Sequence, residues 1–312
     1  MSERILVTGA TGCIGRATVK WLRGRGYDDL VALTRSGSIE GMDGIRGDIS
    51  EAGDVEAAMG KVAPARVIHL AGWQTPDCQA NPFGGMAVNL RGTENVVRAL
   101  AKQGAGVERF VFASSAAVYG SRDLYVGDTV REDAPCRPPH LYGIWKVAGE
   151  GMAQAFAMET GIATISLRLA TTYGPGRDRG LTAAPTTAIK AIASGESYAM
   201  PYFGREHYHY VSDVGAAFGM SATAPFSGYG VFNVRGTTVS VEEFLALLDA
   251  AAKEKGIGEG ARAAIAEDAK AFPFVCELDD RAIVAAFPEM PLTSLRDGIR
   301  ESMEVFEALR DR

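Results

Sequence analysis

Tyr142 and Lys146, in Tyr142-Gly143-Ile144-Trp145-Lys146, stand at i and i+4. That spacing puts two side chains on one face of a helix. A phenol ordinarily ionises near pH ~10, and an ammonium close by favours the phenolate. Such a pair can give or take a proton near neutrality, although the same spacing also occurs as a plain helix-surface pair. Upstream, Ala113-Ser114-Ser115-Ala116-Ala117-Val118-Tyr119-Gly120 follows an apolar run. If that run is a strand, it delivers a hydroxyl to the carboxyl edge of a sheet, where open α/β sheets bind ligands.

A second chemistry lies at the N-terminus. In Thr8-Gly9-Ala10-Thr11-Gly12-Cys13-Ile14-Gly15 the glycines fall at 9, 12 and 15, between an apolar strand and an amphipathic stretch. Glycine there lets the backbone turn sharply, lets a pyrophosphate approach without a Cβ in the way, and lets helix pack on strand. The helix N-terminus then turns unpaired N–H groups toward the negative charge. Without a ligand the same trio would be a plain strand-to-helix turn. An acidic residue at the end of the second strand would hold the ribose of NAD. Here the place is taken by Thr34-Arg35-Ser36. An arginine pairs with a 2′-phosphate where a carboxylate repels it, so NAD(P) is expected, with NADP favoured over NAD; otherwise Arg35 is a solvated cation. Asp48, in Gly47-Asp48-Ile49, either accepts from the adenine amine or caps the helix after it.

The elements that must position these groups follow from hydrophobic periodicity. Strands are expected at Ile5–Thr8, Leu30–Thr34, Arg66–Leu70, Arg109–Ala113 and Ala163–Leu169. Between them lie helical stretches at Arg16–Arg23, Val55–Met59, Asn89–Lys102 and Tyr142–Thr160. Strands alternating with helices imply right-handed crossovers and a parallel sheet. Near-continuous apolar strands suit a sheet covered on both faces. After Leu169 the rhythm breaks. Helices are expected at Ala183–Ser194, after His207–Val214, at Val241–Lys255 with Ser240 and Glu243 as a capping box, and at Ser294–Arg310. Phe232-Asn233-Val234 reads as a short strand, and Gly256–Ala264 as a surface loop merging into weak helix. Phe110, Phe112, Phe156 and Phe244 read as core.

Composition narrows the classes. The chain has 312 residues, 47% hydrophobic and 22% charged, which excludes disorder as its main description. A net charge of −6 argues against a nucleic-acid partner and against binding to anionic membranes. No apolar run is long enough for a transmembrane helix, and the first residues do not read as a signal peptide. Cys13, Cys78, Cys136 and Cys276 lie far apart, so neither a zinc site nor a disulfide scaffold is expected, and a cytoplasmic location fits.

Taken together these pieces resemble the extended short-chain dehydrogenases/reductases, in the nucleotide-sugar epimerase/dehydratase group. The matching segments, in order along the chain, are TGATGCIG, GDIS at 47–50, HLAG at 69–72, NLRGT at 89–93, SSAAVYG at 114–120, YGIWK at 142–146, LRLATTYGPG at 167–176 and YVSDV at 210–214. The resemblance implies an α/β fold: a Rossmann-type doubly wound parallel sheet over residues 1–170, to which the chain returns at about 207–236. It implies a smaller, mostly C-terminal substrate-binding region over 171–206 and 237–312. Tyr142 would be the general acid/base, Lys146 would hold the ribose and lower the tyrosine pKa, and Ser115 would bond the reacting oxygen. Gly9, Thr11, Gly12, Cys13, Ile14, Gly15, Arg35, Asp48, Ile49, Leu70, Ala71, Gly72 and Asn89 would surround the cofactor. A homodimer is implied, paired through helices such as Asn89–Lys102 and Tyr142–Thr160.

The departures from the family pattern set the expected reaction. Dehydratases of the group resemble SSTDEVYG, and here the Asp and Glu places are Ala116 and Ala117. Neither can transfer a proton, so a 4,6-dehydratase is not expected. A cysteine used by epimerase-reductases acting at carbons 3 and 5 is also replaced, by Ala117. What remains is an NAD(P)-dependent oxidoreductase acting on a secondary alcohol of a sugar, sugar acid or polyol, or a 4-epimerase with retained NAD. A non-catalytic NADP sensor would be expected to have a broken Ser/Tyr/Lys set. Sugar-nucleotide members carry an arginine where this chain has Glu206, an anion unsuited to gripping a diphosphate. Arg177, Arg179, Arg205, His207 and His209 are instead candidates for an anionic group, or ordinary loop residues. Trp73 and Ala116 are expected beside the substrate. His69 and His140 are read as structural, with His140 bordering the pocket.

Overall fold

The computed structural model describes residues 3–35, 41–104, 106–257 and 260–310. Twelve strands are present among them: β1 (Ile5–Thr8), β2 (Leu30–Thr34), β3 (Asp43–Arg46), β4 (Arg66–His69), β5 (Arg109–Ser115), β6 (Ala163–Leu169), β7 (Thr171–Tyr173), β8 (Tyr198–Phe203), β9 (Arg205–Tyr210), β10 (Tyr229–Asn233), β11 (Thr237–Ser240) and β12 (Ala263–Ala271). Seven form one sheet in the order β10-β6-β5-β4-β1-β2-β3. Every pairing in it is parallel, for example Val7 with Ala32 and with Ile68. It is a Rossmann-type doubly wound sheet. The strand order reverses between β1 and β4, so a crevice opens at their carboxyl ends.

Both faces of this sheet are covered, as its apolar strands require. On β1, Ile5 and Val7 pack on one face with Leu22, Ile68, Val111 and Phe218. Leu6 packs on the other with Val31, Val67, Phe110 and Phe156. Helices Cys13–Gly24 and Val211–Thr223 cover the first face; Ala52–Val62, Gly92–Gln103 and Leu141–Thr160 cover the second. Beyond it, β11-β9-β7 and β12-β8 form small sheets. They share a core with helices Ala184–Ala193, Val241–Glu254 and Leu295–Arg310. In that core Tyr208 stacks on Phe244 at 4.7 Å.

Several elements add to or shift the sequence expectations. β3 is a polar edge strand paired with β2, and carries no apolar pattern to announce it. The stretch expected to become weak helix near Ala264 is instead β12, parallel to β8. Pairing there overrides the poor strand propensity of Ala, Glu and Lys. The helix expected from Asn89 runs Gly92–Gln103 and is preceded by a wider π-helical turn, Ala87–Arg91. The segment expected to lead into a helix does so: it is strand β9 as far as Tyr210, and helix Val211–Thr223 follows. The Ser240–Glu243 capping box forms, with Ser240 N donating to Glu243 Oε2 at 2.7 Å.

Candidate active site

The turn after β1 closes over the β1–β4 crevice. Gly9 has φ of 70°, and a Cβ on it would lie 2.8 Å from Ala71 N. A Cβ on Gly15 would run into Gly9 O and Ala10. So two backbone approaches require glycine, and they bring Gly9-Ala10-Thr11-Gly12 against Leu70-Ala71. Helix Cys13–Gly24 starts there with no side-chain cap, leaving first-turn N–H groups to a ligand. An uncapped helix end above a side-chain-free cradle fits a dinucleotide pyrophosphate. Across it, Cys13 Sγ lies 3.8 Å from Pro175 O, so the Gly174–Gly176 turn packs on the loop.

The floor of the crevice is fixed by neutral hydrogen bonds. Thr93 Oγ1 donates to Asn89 O at 2.8 Å, so it accepts from His69 Nε2 at 3.2 Å. His69 Nδ1 then faces Thr8 Oγ1 at 2.7 Å. Burial drives the His69 pKa down to about 3, and the neutral ring serves as a strut between β1, β4 and the helix above. Asn89, in the π turn, accepts from Trp73 N at 2.8 Å and donates to Trp73 O at 3.1 Å. It thereby holds the chain after β4. A Cβ on Gly72 would sit 2.9 Å from Asn89 Oδ1 and 3.6 Å from Lys146 Nζ.

Ser115 ends β5 opposite Leu169 of β6. Its Oγ accepts from Ala117 N at 3.1 Å, which fixes the hydroxyl at the sheet edge. Helix Leu141–Thr160 carries Tyr142 and Lys146 beside it. Lys146 Nζ donates to Ala113 O at 2.7 Å and lies 5.5 Å from the centre of the Tyr142 ring. Burial lowers the Lys146 pKa to about 8, which leaves it mostly cationic at neutral pH. Burial also raises Tyr142 above the ordinary phenol value; the Ser115 hydrogen bond and the Arg177 cation pull it back. Burial outweighs both.

Ser115, Tyr142 and Lys146 line one cavity of about 420 Å³ with Ile14, Leu70, Gly72, Trp73, Ala116, Ala117, His140 and Arg177. Sequence reading missed Gln74, Thr171 and Thr172, and the far wall, Phe272–Val275. The one signal for that wall is a pair of aromatics around Pro273, remote in the chain. His140 Nδ1 accepts from Gly143 N at 3.4 Å and starts the helix.

Of the five candidates for an anionic group, only Arg177 lines the cavity. Arg205 is exposed and pairs with Glu277 at 3.2 Å, away from the cavity. β9 is the middle strand of its sheet, so neighbouring residues are buried on both faces. His207 bonds Thr238 Oγ1 at 2.7 Å and His209 bonds Arg235 O at 2.8 Å; burial lowers them to about 4 and about 3. Glu206 faces inward as well. Its Oε1 accepts from Thr171 at 2.7 Å and Tyr202 at 3.0 Å, and burial raises it to about 7. It does not line the cavity.

After β2, Arg35 Nη1 lies 3.9 Å from Asp48 Oδ2. Asp48 Oδ1 accepts from Ser50 N at 2.9 Å and Ser50 Oγ at 2.8 Å, closing the turn before helix Ala52–Val62. Ile49 is buried against Gly92. Ser36 lies outside the described residues.

A model of the NAD dependent epimerase/dehydratase family matches residues 5–234. A dTDP-glucose 4,6-dehydratase of Streptomyces griseus is 32% identical over 190 residues, 56% of this chain and 56% of that one. An L-arabinose 1-dehydrogenase (NAD(P)(+)) of Haloferax volcanii is 34% identical over 178 residues, 53% of this chain and 66% of that one. The matches span less than two thirds of these relatives' own lengths. Among solved structures, a Thermus thermophilus UDP-glucose 4-epimerase in complex with NAD superposes with a TM-score of 0.81 at 27% identity, over 97% of this chain and 98% of that chain.

Proposed function

The chain belongs to the NAD-dependent epimerase/dehydratase family, and from that premise we propose that it is a nicotinamide-dependent oxidoreductase. Its reaction moves a hydride to or from a secondary alcohol carbon of a sugar-like substrate. One juxtaposition carries the reading: Ser115, Tyr142 and Lys146 share a cavity wall with Ile14 and Leu70 of the glycine-loop crevice.

A nicotinamide dinucleotide bound in that crevice supplies the hydride acceptor or donor. Lys146 keeps two ammonium protons after bonding Ala113 O, enough to hold ribose hydroxyls, and its charge favours the Tyr142 phenolate once they are in place. Tyr142 takes the hydroxyl proton as the carbinol becomes a carbonyl, and returns it in the reverse direction. Ser115 donates to the same oxygen and steadies its developing charge. The solved neighbour with NAD supports the dinucleotide. Arg35 at the end of β2 supports NADP in preference, since its exposed guanidinium can receive a 2′-phosphate. Residues 171–206 and 237–312 form the substrate-binding region in this reading. A second copy of the chain covers the exposed Ile144 and Met158 of helix Leu141–Thr160.

Dehydration is disfavoured because Ala116 and Ala117 line the cavity where proton-transferring side chains would be needed. A 4-epimerase with retained NAD uses the same three residues, and the likeness to an epimerase with NAD favours it as the second reading. An intact Ser/Tyr/Lys set argues against a non-catalytic sensor. The two enzyme readings separate on purified protein. Steady change in nicotinamide absorbance on adding a sugar, sugar acid or polyol supports the oxidoreductase. Tightly held NAD, with interconversion of UDP-sugars and no net coenzyme change, supports the epimerase.

A further inference from the structure

Ten buried polar side-chain atoms lack a hydrogen-bond partner among the described residues. Two of them, His140 Nε2 and Arg177 Nε, belong to residues that line the cavity. Both are donors. His140 Nδ1 accepts from Gly143 N, so the proton of the neutral ring sits on Nε2. Arg177 spends Nη2 on Thr182 Oγ1 at 2.6 Å and keeps Nε free. A buried donor left without a partner is destabilising.

The charge of the cavity points the same way. Among the described residues its lining holds two cations, Lys146 and Arg177, and no carboxylate. Lys146 is bonded to Ala113 O on the dinucleotide side. That leaves Arg177 as the cation for the substrate. One guanidinium suits one carboxylate, which it can take in a two-pronged bond. A diphosphate brings more charge than one guanidinium balances, and Arg205 is turned outward onto Glu277. An amino acid would bring an ammonium, for which this lining has no anion. The remaining wall, Phe272-Pro273-Phe274, is apolar, and Phe274 meets the His140 ring edge-on at 5.8 Å. It bounds the space to something of sugar size in a cavity of about 420 Å³ that also reaches Ile14 and Leu70.

We infer that the substrate is a small polyhydroxylated carboxylate, a sugar acid, whose carboxylate is received by Arg177 while His140 Nε2–H donates to a neighbouring oxygen. This rests on the oxidoreductase reading above, and Arg177 and His140 are its specificity determinants.

The test pairs turnover with direct binding. D-glucuronate, D-galacturonate and D-gluconate are compared with D-glucose, D-galactose and sorbitol, and with UDP-glucose, using NAD⁺ and NADP⁺. The expected result is that an acid exceeds its neutral counterpart at least roughly tenfold in kcat/KM. Arg177→Met then raises the KM for that acid roughly 10- to 100-fold, the loss of a charge-assisted pair, and Arg177→Lys restores part of it. Better turnover of a neutral sugar or of UDP-glucose overturns the inference and leaves the redox reading standing. If no compound is turned over, calorimetric titration of the coenzyme-saturated protein with the three acids decides. Binding abolished by Arg177→Met supports the site while the redox reading falls; no binding of any acid overturns it.

Discussion

The Glu150 carboxylate receives the Arg168 guanidinium in two parallel bonds, Nε to Oε1 at 2.8 Å and Nη2 to Oε2 at 2.7 Å, inside the core. Ser114, the neighbour of Ser115, donates to the same carboxylate. Arg168 Nη1 continues to Tyr119 Oη at 2.7 Å, and Tyr119 to Asn233 Oδ1 at 2.7 Å. The network ties the Tyr142/Lys146 helix to β5, β6 and β10, one helical turn below Lys146. Removing one partner of such a pair strands a buried charge. Glu150→Ala should therefore lower unfolding free energy by roughly 3–5 kcal/mol, read by urea denaturation. A loss no larger than that of a surface substitution would show the network to be unimportant.

Glu206 sets a pH dependence of stability. Burial raises it from 4.5 to about 7. Between those values the unfolded chain has released the proton and the folded chain still holds it. Stability therefore falls as pH rises through about 4.5 to 7, and stays lower above. Glu206→Gln keeps an acceptor for Thr171 and Tyr202 and removes the ionisation. Thermal midpoints measured from pH 5 to 8 should fall for the natural chain relative to the variant; parallel curves would contradict the assignment.

Arg35 discriminates the coenzymes. Its side chain is 62% exposed and only loosely paired with Asp48 at 3.9 Å, a surface contact worth little. Arg35→Ala should weaken NADP binding roughly tenfold or more while leaving NAD nearly unchanged. Equal effects on both would remove the 2′-phosphate from this residue.

The elements around the site were legible where the signal was local. The glycine loop reads from sequence because its three glycines fall within eight residues, and the tyrosine–lysine pair because a helix fixes i and i+4. What failed was long-range. Nothing in Arg205-Glu206-His207-Tyr208-His209-Tyr210 says that both faces of the strand are covered, so a buried acid and two neutral histidines read as a cluster of exposed charges. β3 and β12 lack an apolar pattern and form because a neighbouring strand offers a ladder. Phe272 and Phe274 reach the cavity only through the β12–β8 pairing. For Tyr142 the spacing reveals the lysine and conceals the burial that opposes it.

The central claim is that Tyr142 moves the proton. Nicotinamide absorbance should be followed for Tyr142→Phe and the natural chain on whichever alcohol the natural chain oxidises, with coenzyme affinity measured on both proteins. The expected result is a fall in kcat of roughly 10²- to 10⁴-fold with coenzyme affinity unchanged. Undiminished turnover by the phenylalanine variant would contradict the account.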